Sequence, residues 1–458
     1  MAWTRATHVR TGALWVGLYL LLTLAPLALV MAGGAGWLGD AGAVRGERGF
    51  WREFSVALGF VGLAMMTLQF VLTARFPWLK APFGSDVVYA FHRQISLISV
   101  ALIVAHPVIL AFLDPADIAR RVNPLTAPPA GLAGTGATLA LLVLVIVSVF
   151  REKLRLSYDA WRRTHAILAV LAVGLGVAHV LFVGHYLATP AQRALWLAYT
   201  LAWVGLIVYV RVFKPAAELR RPWVVERVTP RAGRAWSLTL RAQGHEGLRF
   251  SPGQFAWITM FSSPFSDREH PFSFSGSAEA RGELEFTIKE LGDFTARVKD
   301  ARPGERVYVD GPFGALSADR HPDARGFLLL AAGIGITPMI SHIRTFADRG
   351  DPRPLVLIYG NNTREDVAFF EELEALKARC NLRVVHVLAR PPEGWPGERG
   401  FITREVLERH VPGEWLAGRE RFEAFICGPV PMMDAVEKAL FSLGVPMGDF
   451  HAERFNLV

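Results

Sequence analysis

One apolar stretch decides the fold of the first half of this chain: residues 92–112 read HRQISLISVALIVAHPVILAF. It is long enough to cross a bilayer as a helix, which takes about 20 residues. His92 and His106 stand 14 residues apart within it. At about 100° and 1.5 Å per residue, this spacing puts both imidazoles on one face, separated by about 21 Å along the helix.

A second stretch repeats this design, since residues 165–185 read HAILAVLAVGLGVAHVLFVGH and carry His165 and His179. His185 is predicted further along the same helix, near its end. The apolar stretch nearest the N-terminus, residues 12–32, follows Arg5. A basic residue before an apolar run is also typical of a secretory signal, but the length of this run favours a retained helix. Four further apolar stretches bring the predicted transmembrane helices to six: 12–32, 53–73, 132–150 and 193–213.

Basic residues predict the orientation of the membrane half, residues 1–215. The link between the fourth and fifth helices holds Arg151, Lys153 and Arg155, and arginines and lysines also follow the second and sixth helices. The positive-inside rule then places both termini and the second half of the chain in the cytoplasm. The sequence predicts a multi-pass protein of a bacterial-type inner membrane. The lipid bilayer explains the net charge of +8, so no nucleic acid partner is expected.

The four intramembrane histidines predict the chemistry of this half. The third and fifth helices run parallel, so His92 is expected level with His165, and His106 level with His179. Two facing imidazoles at two depths are what two stacked b-type haems require. A hydrogen-bonded packing role is the alternative for any single histidine, but the equal spacing favours haem. A mononuclear metal site is disfavoured because each level supplies two ligands and no carboxylate.

The second half of the chain resembles a soluble α/β protein in its composition. Short strand-like runs come first, punctuated by Gly and Pro, and they predict a small antiparallel barrel within residues 216–322. From residue 323 to 458, strands alternate with helices, which predicts a parallel nucleotide-binding sheet. Cys380 and Cys427 form neither a disulfide framework nor a metal-ligand pattern.

Six motifs then follow one another along this half: HPFSFS (270–275), IKELGDFT (288–295), DGPFG (310–314), AGIGITP (332–338), YGNN (359–362) and CGPVPM (427–432). In this order, and together with the four membrane histidines, they resemble the NADPH oxidase and ferric reductase family. The resemblance covers nearly the whole chain. It implies a ferredoxin-reductase-like module, made of an FAD-binding barrel and an NAD(P)-binding α/β domain.

The resemblance also implies roles for individual residues. It assigns flavin binding to His270, Pro271, Phe272, Ser273, Phe274, Ser275, Ile288, Lys289, Gly292, Asp293, Phe294 and Thr295. It assigns nicotinamide dinucleotide binding to Gly333, Ile334, Gly335, Thr337, Pro338, Asn361, Arg364, Cys427, Gly428, Pro429 and Met432. Phe455 fits the aromatic residue that stacks on the flavin, although three residues follow it. Thr337, Cys427 and Phe455 are expected at the site of hydride transfer.

Simpler structural roles remain open for several of these residues. Gly333 and Gly335 let backbone amides approach a pyrophosphate, but a tight strand-to-helix turn has the same pattern. Phe272 and Phe274 could pack the barrel or the flavin edge, and Ser273 and Ser275 could bond the flavin ring or ribityl chain. Arg364 could pair with a 2′-phosphate or be a surface arginine, so NADPH and NADH both remain candidates.

The implied activity is electron transfer from cytoplasmic NAD(P)H, through FAD and the two haems, to an acceptor on the outer face. Oxygen giving superoxide is the first expectation, and a ferric chelate is the alternative. A quinone-linked membrane cytochrome would share the haem helices but would not need the nicotinamide motif. A transporter or scaffold would need neither the histidine pairs nor the flavin motif. No protein partner is predicted from the sequence.

Overall fold

The structure, a computed structural model, describes residues 5–34, 49–76, 85–266 and 268–454. The chain forms two compact units, one made of the helices before Pro215 and the other mainly of the residues from Pro215 onward. Six helices among the described residues are long and apolar enough to span a membrane. The predicted fold class is therefore confirmed for both halves of the chain.

The first unit is entirely helical in its regular structure. Its helices are α1 (Arg5–Gly34), α2 (Phe50–Thr73), α3 (Ser85–Leu113), α4 (Pro115–Val122), α5 (Pro129–Val149), α6 (Tyr158–Val183) and α7 (Pro190–Val208). The short helix α4 is the only one of these that lacks the length of a membrane span. Large apolar side chains are exposed on all six long helices, as expected of surfaces that face lipid.

Two predictions of helix ends are wrong. The helix that carries His165 ends at Val183, because Gly184 adopts a left-handed conformation with φ of 66° and caps it. His185 lies in a separate 3₁₀ turn, His185–Leu187, rather than in the helix. The sixth predicted helix, 193–213, also extends further, since α7 continues through a π turn into α8 (Lys214–Leu219).

The first sheet of the second unit is the predicted antiparallel barrel. Its strands are β1 (Trp223–Arg231), β2 (Ala235–Ala242), β3 (Phe255–Met260), β4 (Glu269–Ser273), β5 (Glu283–Lys289) and β6 (Arg306–Phe313), with the short helix α9 (Asp293–Arg297) after β5. Their order is β4-β3-β6-β1-β2-β5. An antiparallel bridge between Phe274 and Phe286 joins the two edges and closes the barrel.

The second sheet is parallel throughout, in the order β10-β9-β8-β7-β11-β12. Its elements are β7 (Gly326–Ala332), α10 (Ile336–Arg349), β8 (Leu355–Asn361), α11 (Phe370–Leu376), β9 (Leu382–Leu388), β10 (Glu398–Arg399), α12 (Arg404–His410), α13 (Gly413–Leu416), β11 (Phe422–Cys427), α14 (Val430–Ser442) and β12 (Phe450–Ala452). β8 and β11 lie on opposite sides of β7, so the order of the strands reverses at β7. Ligands of open α/β sheets bind at such a switch point, outside the carboxyl ends of the strands.

Helix α10 joins the barrel to the parallel sheet. Arg344 on α10 donates two hydrogen bonds to Glu372, at 2.6 and 2.9 Å, and one to Glu285 of β5 at 2.7 Å. It also donates to the carbonyl oxygen of Ser275 at 2.8 Å. Ser341, one turn earlier, donates to the carbonyl oxygen of Gly276 at 2.8 Å. These bonds hold the end of the predicted flavin strand against the nucleotide-binding half of the module.

Gly253 makes a second close approach between the barrel and α10. Its φ is 85°, a conformation that favours glycine. A Cβ atom here would lie 1.9 Å from the carbonyl oxygen of Leu316 and 2.2 Å from Cε1 of His342. The His342 ring accepts a hydrogen bond from the Ala318 amide and donates to the carbonyl oxygen of Pro338. Burial lowers the pKa of His342 to about 4, so this ring is neutral.

Candidate functional site

The four membrane histidines form two facing pairs. The ring centres of His92 and His165 are 6.3 Å apart, and those of His106 and His179 are also 6.3 Å apart. The planes within each pair meet at 62° and 64°, so the two levels are built alike. A metal bonded to both rings at about 2.0 Å would separate their centres by about 6 Å. The spacing of each pair therefore fits one metal ion held between two imidazoles.

Each of the four imidazoles uses Nδ1 for a hydrogen bond to the protein. Nδ1 of His179 lies 2.8 Å from the carbonyl oxygen of Ala130, and Nδ1 of His106 lies 3.0 Å from that of Ser55. A carbonyl oxygen only accepts, so both rings carry their proton on Nδ1 and keep the Nε2 lone pair. Such outer bonds fix the tautomer and orientation of metal-binding histidines.

The other pair is held by side chains instead of the main chain. Nδ1 of His92 lies 2.8 Å from Oε1 of Gln69, and Nδ1 of His165 lies 3.1 Å from the hydroxyl oxygen of Ser148. Trp161 also donates to the Ser148 hydroxyl, at 3.4 Å. The sequence did not single out these partners, because an isolated glutamine or serine in an apolar helix carries no pattern that relates it to a histidine.

A glycine brings a neighbouring helix close to one of the histidines. A Cβ atom on Gly134 of α5 would lie 2.8 Å from Nδ1 of His179. Real Cβ atoms do not approach this closely, so any larger residue at position 134 would displace the ring. The position of His179 thus depends on close packing between α5 and α6.

The predicted flavin strand divides into an aromatic layer and a buried end. The ring of His270 stacks on Phe294 with centres 4.0 Å apart, and Phe272 stacks on the same ring at 5.9 Å. Pro271 lies between them in β4, opposite Trp257 of β3, and Ser273 is buried at the end of the strand. Phe294 comes from α9, so the first and second predicted flavin segments do meet.

Three residues assigned to the flavin use their side chains elsewhere. Phe274 is fully buried, and its ring centre lies 4.1 Å from that of Phe250 inside the barrel. The hydroxyl of Ser275 is buried and donates to Glu285 at 2.9 Å. Ile288 is 1% exposed because alternate residues of β5 face the barrel core. Phe274 and Ile288 thus pack inside the barrel and Ser275 bonds Glu285, and the assignment of these three residues to the flavin stays a prediction.

The segment predicted to bind flavin phosphates is a tight turn closed by Thr295. Its hydroxyl oxygen accepts from the amides of Leu291 and Gly292, at 2.8 and 2.9 Å. Those two amides are therefore engaged within the protein, and Thr295 shapes the turn. Asp293 opens the five-residue helix α9 that follows. Lys289 at the end of β5 lines a narrow cleft that Gly333 and Ile334 also line.

The predicted nicotinamide motifs gather at the carboxyl edge of the parallel sheet, at its switch point. Cys427 ends β11 opposite Ala331, and Gly360 of β8 lies opposite Ala332. Asn361 ends β8. The segment Gly428, Pro429 and Met432 leads from β11 into α14. The fold therefore brings the three predicted nucleotide motifs together, as expected for strands that end at one edge.

Local bonds explain why the loop after β7 needs its two glycines. Gly333 has a φ of 54°, and its carbonyl oxygen accepts a hydrogen bond from Tyr359 at 3.0 Å. A Cβ atom on Gly335 would lie 2.2 Å from the carbonyl oxygen of Cys427. Thr337 donates back to the carbonyl oxygen of Ile334 at 3.0 Å, one residue before Pro338. The loop is thus preformed against the end of β11.

Cys427 and Glu453 meet at this edge of the sheet. Burial raises the pKa of the Cys427 thiol, and the charge of Glu453 raises it further, so Cys427 is a neutral thiol. Glu453 is itself buried, and its Oε1 would lie 2.9 Å from a Cβ atom on Gly314 at the end of the barrel. The burial of Glu453 is not predictable from the sequence, because a carboxylate near the end of a chain gives no sign of burial.

Arg364 lies in a turn after β8, with its guanidinium 3.3 Å from the ring centre of Phe370. It also pairs with Glu371 at 3.3 Å, and this contact helps to lower the pKa of that exposed carboxyl. Its positive charge is thus partly neutralised by the protein. The predicted flavin-stacking residue Phe455 lies outside the described residues.

Each half of the chain matches a known protein family. Residues 58–176 match the family described as ferric reductase like transmembrane component, and residues 329–438 match the oxidoreductase NAD-binding domain. The first half of the chain is thus similar to a transmembrane component and the second half to an oxidoreductase domain. With the helical component first and the nucleotide-binding module second, the chain has the architecture of the NADPH oxidase and ferric reductase family.

Individual relatives match the second half of the chain. The toluate 1,2-dioxygenase electron transfer component of Pseudomonas putida is 29% identical over 225 residues, which cover 48% of this chain and 62% of that protein. NADH-cytochrome b5 reductase 1 of Pyricularia oryzae is 34% identical over 172 residues, which cover 36% of this chain and 54% of that protein. The chain thus spans between about half and six tenths of the length of these two relatives.

Among solved structures, the chain is similar to the cytochrome b5 reductase domain of Ulva prolifera nitrate reductase. It is 22% identical and covers 51% of this chain and 96% of its own, with a TM-score of 0.44.

Proposed function

We propose that this chain transfers electrons from cytoplasmic NAD(P)H across a membrane to oxygen, which is reduced to superoxide. His92 and His165 would hold one b-type haem, and His106 and His179 would hold the second. The observation that carries the proposal is the pair of facing imidazoles at each of two levels, each with Nδ1 bonded and Nε2 free for a metal. The barrel would hold FAD beside the layer of His270, Phe272 and Phe294.

When bound, FAD accepts a hydride and releases single electrons, and b-type haems carry such electrons one at a time. The chain's own residues position the donor. Tyr359 fixes the Gly333 carbonyl, and Gly335 lets the start of α10 lie against the end of β11, so backbone amides there are available to a pyrophosphate. The neutral thiol of Cys427 adds no charge beside a transferring hydride. Helix α10 then holds this edge in a fixed position relative to the flavin strand.

The histidine pairs also bear on the acceptor. With two histidines holding each haem, the haem would supply electrons without binding oxygen. The acceptor would therefore be reduced by outer-sphere transfer at the outer face. A ferric chelate is the second candidate, favoured by the match of residues 58–176 to a ferric reductase like component. The inner-membrane location and the cytoplasmic placement of the second half rest on the distribution of basic residues.

The test uses the full-length protein, purified in detergent and loaded with haem and FAD. Cytochrome c reduction driven by NADPH or NADH is measured in air, with and without superoxide dismutase, and ferric chelate reduction is measured without oxygen. Inhibition by the dismutase supports superoxide as product. Ferric chelate reduction with no dismutase-sensitive signal makes the ferric reductase the correct function.

The haem assignment is tested separately with His106→Leu. This variant should contain one haem per chain instead of two, while NAD(P)H still reduces the flavin. If His106→Leu keeps both haems with unchanged spectra, the ligand assignment is wrong. His185→Leu is the matched control, because His185 lies outside α6 and is expected to leave both haems in place.

A further inference from the structure

A third cluster of metal-binding side chains lies outside both candidate sites. It joins His321, which precedes β7, to Glu423 of β11 and His451 of β12. Nδ1 of His321 lies 3.3 Å from one carboxylate oxygen of Glu423, and Nε2 of His451 lies 2.8 Å from the other. All three potential ligand atoms lie within 4.8 Å of one another. Among the described residues, this is the one cluster of three or more such side chains.

The exposure of the three side chains increases from Glu423 to His321 to His451. The Glu423 side chain is 0% exposed, that of His321 is 12% exposed and that of His451 is 30% exposed. The two imidazole rings lie side by side, with centres 4.5 Å apart. An ion could therefore enter past His451 and reach a carboxylate that is fully removed from water.

We propose that His321, Glu423 and His451 bind a divalent transition metal ion of the zinc class. Two imidazoles and one carboxylate form a donor set that zinc uses in sites that keep a fourth position for water. Imidazole donors favour zinc, copper, iron and nickel over magnesium or calcium. Metal–ligand bonds of about 2.0–2.2 Å place ligand atoms about 3.3–3.6 Å apart. The 2.8 Å contact must therefore widen, and any pair of ligand atoms near the 4.8 Å limit must move closer together.

The tautomers needed for metal binding are accessible to both rings. His321 would present Nδ1 and His451 would present Nε2, each with its proton on the other ring nitrogen. The same three side chains could instead form only a hydrogen-bonded network, and the experiments below separate these two cases.

Arg421 is the group that opposes a cation here. Its Nη2 lies 2.9 Å from the Glu423 oxygen that also faces His321, and its side chain is 43% exposed. The guanidinium stands on the solvent side and can turn away, whereas the carboxylate oxygen that faces His451 has no contact with it. Arg421 should therefore weaken metal binding without preventing it.

The position of the cluster gives the metal a structural consequence. Strand β12 has three residues and pairs with β11. Glu453, which follows β12, is the buried carboxylate beside Cys427. A metal ion held by His321 and His451 would fasten this strand to the segment before β7. Metal binding to the folded state should thus stabilise the nucleotide-binding sheet by mass action.

The experiment titrates Zn²⁺ into haem-saturated, FAD-loaded full-length protein against a chromophoric chelator. Wild type should bind one equivalent of Zn²⁺. The zinc affinity of both His321→Gln and His451→Gln should be at least 30-fold lower. His410→Gln is the matched control, because His410 also contacts a carboxylate, that of Glu398 at 2.7 Å, but belongs to no three-ligand cluster among the described residues. Its zinc affinity should equal that of wild type.

Two further measurements keep the result independent of folding. Flavin content reports whether each variant is folded, and the melting temperature should rise with added Zn²⁺ for wild type and His410→Gln but not for His321→Gln or His451→Gln. Arg421→Gln should tighten binding by about tenfold, since a positive charge near the ion is removed. If His321→Gln and His451→Gln fold and bind Zn²⁺ as wild type does, or if wild type binds none, the cluster is a hydrogen-bonded network and the proposal is wrong.

Discussion

Gln69→Leu should change one of the two proposed haem sites and leave the other intact. Gln69 supplies the acceptor for Nδ1 of His92, at 2.8 Å. Loss of such an outer partner typically lowers metal affinity by about 10- to 100-fold, because the histidine becomes a weaker donor and is less well oriented. The effect falls mainly on the oxidised metal, which depends more on donor strength. A tenfold change corresponds to about 59 mV for one electron, so the midpoint potential should rise by about 60–120 mV.

The matched control for this prediction is Ser55→Ala. The Ser55 hydroxyl lies 2.9 Å from Nδ1 of His106, but the backbone carbonyl of the same residue also lies 3.0 Å from that nitrogen. Alanine removes the hydroxyl and keeps the carbonyl. The potential of the His106–His179 centre should therefore shift by much less than that of the His92–His165 centre in Gln69→Leu.

Spectroelectrochemical titration of the full-length protein measures both variants. Wild type should show two one-electron transitions, and Gln69→Leu should move one of them upward and leave the other in place. Equal shifts in Gln69→Leu and Ser55→Ala, or no shift in either, would refute the argument that the Nδ1 partners tune these centres.

Three other substitutions test separate parts of the chain. Gly134→Ala should displace His179, which a Cβ atom would approach to 2.8 Å, and the haem content measured as pyridine haemochrome should fall from two to one per chain. Arg344→Met leaves the buried carboxylate of Glu285 without its main partner and should cost about 3–5 kcal/mol, seen as a lower melting temperature that Glu285→Gln partly restores. Glu371→Gln removes the carboxylate that pairs with Arg364, so the KM for NADPH should fall relative to the KM for NADH. An unchanged ratio of the two KM values would show that Arg364 does not contact the nucleotide.

The Arg344 pair also makes a prediction about pH. Burial by itself raises the pKa of Glu285, but the charge and hydrogen bonds of Arg344 outweigh burial and leave the pKa below its usual value. The stability that the pair contributes is therefore present above the pKa of an unfolded glutamate, about 4.3, and is lost as pH falls further. The difference in melting temperature between wild type and Arg344→Met should shrink below pH 4. A constant difference down to pH 3 would contradict this assignment.

The sequence predicts the elements of this chain well where one pattern dominates. The antiparallel barrel precedes the parallel sheet as predicted, and all six apolar stretches form helices of spanning length. The histidine spacing also predicts which rings face each other, because helical periodicity and the parallel direction of two helices leave little freedom. Membrane helices and alternating strands are set by local hydrophobicity, which the sequence displays directly.

Contacts between distant residues were not predictable in this way. Nothing in residues 288–295 indicates that Ile288 faces the barrel core while Phe294 stacks on His270, because both are apolar and lie in one motif. The partners of the histidines, Gln69 and Ser148, are likewise known only once the helices pack. The cluster of His321, Glu423 and His451 draws on three segments with no sequence spacing that relates them.

The joining of barrel and sheet through α10 has a consequence for how this chain can change over evolution. The bonds to the barrel involve Ser341, Arg344, Thr345 and Arg349. The last three lie three, four and eight residues after Ser341, so all four share one face of the helix. An inserted or deleted residue between the glycine loop and these positions would rotate them by about 100°. Surface loops elsewhere can gain residues freely, but the number of residues between Gly335 and Arg344 must stay constant. Functional homologues of this chain should keep this spacing even where the residues in between have been substituted.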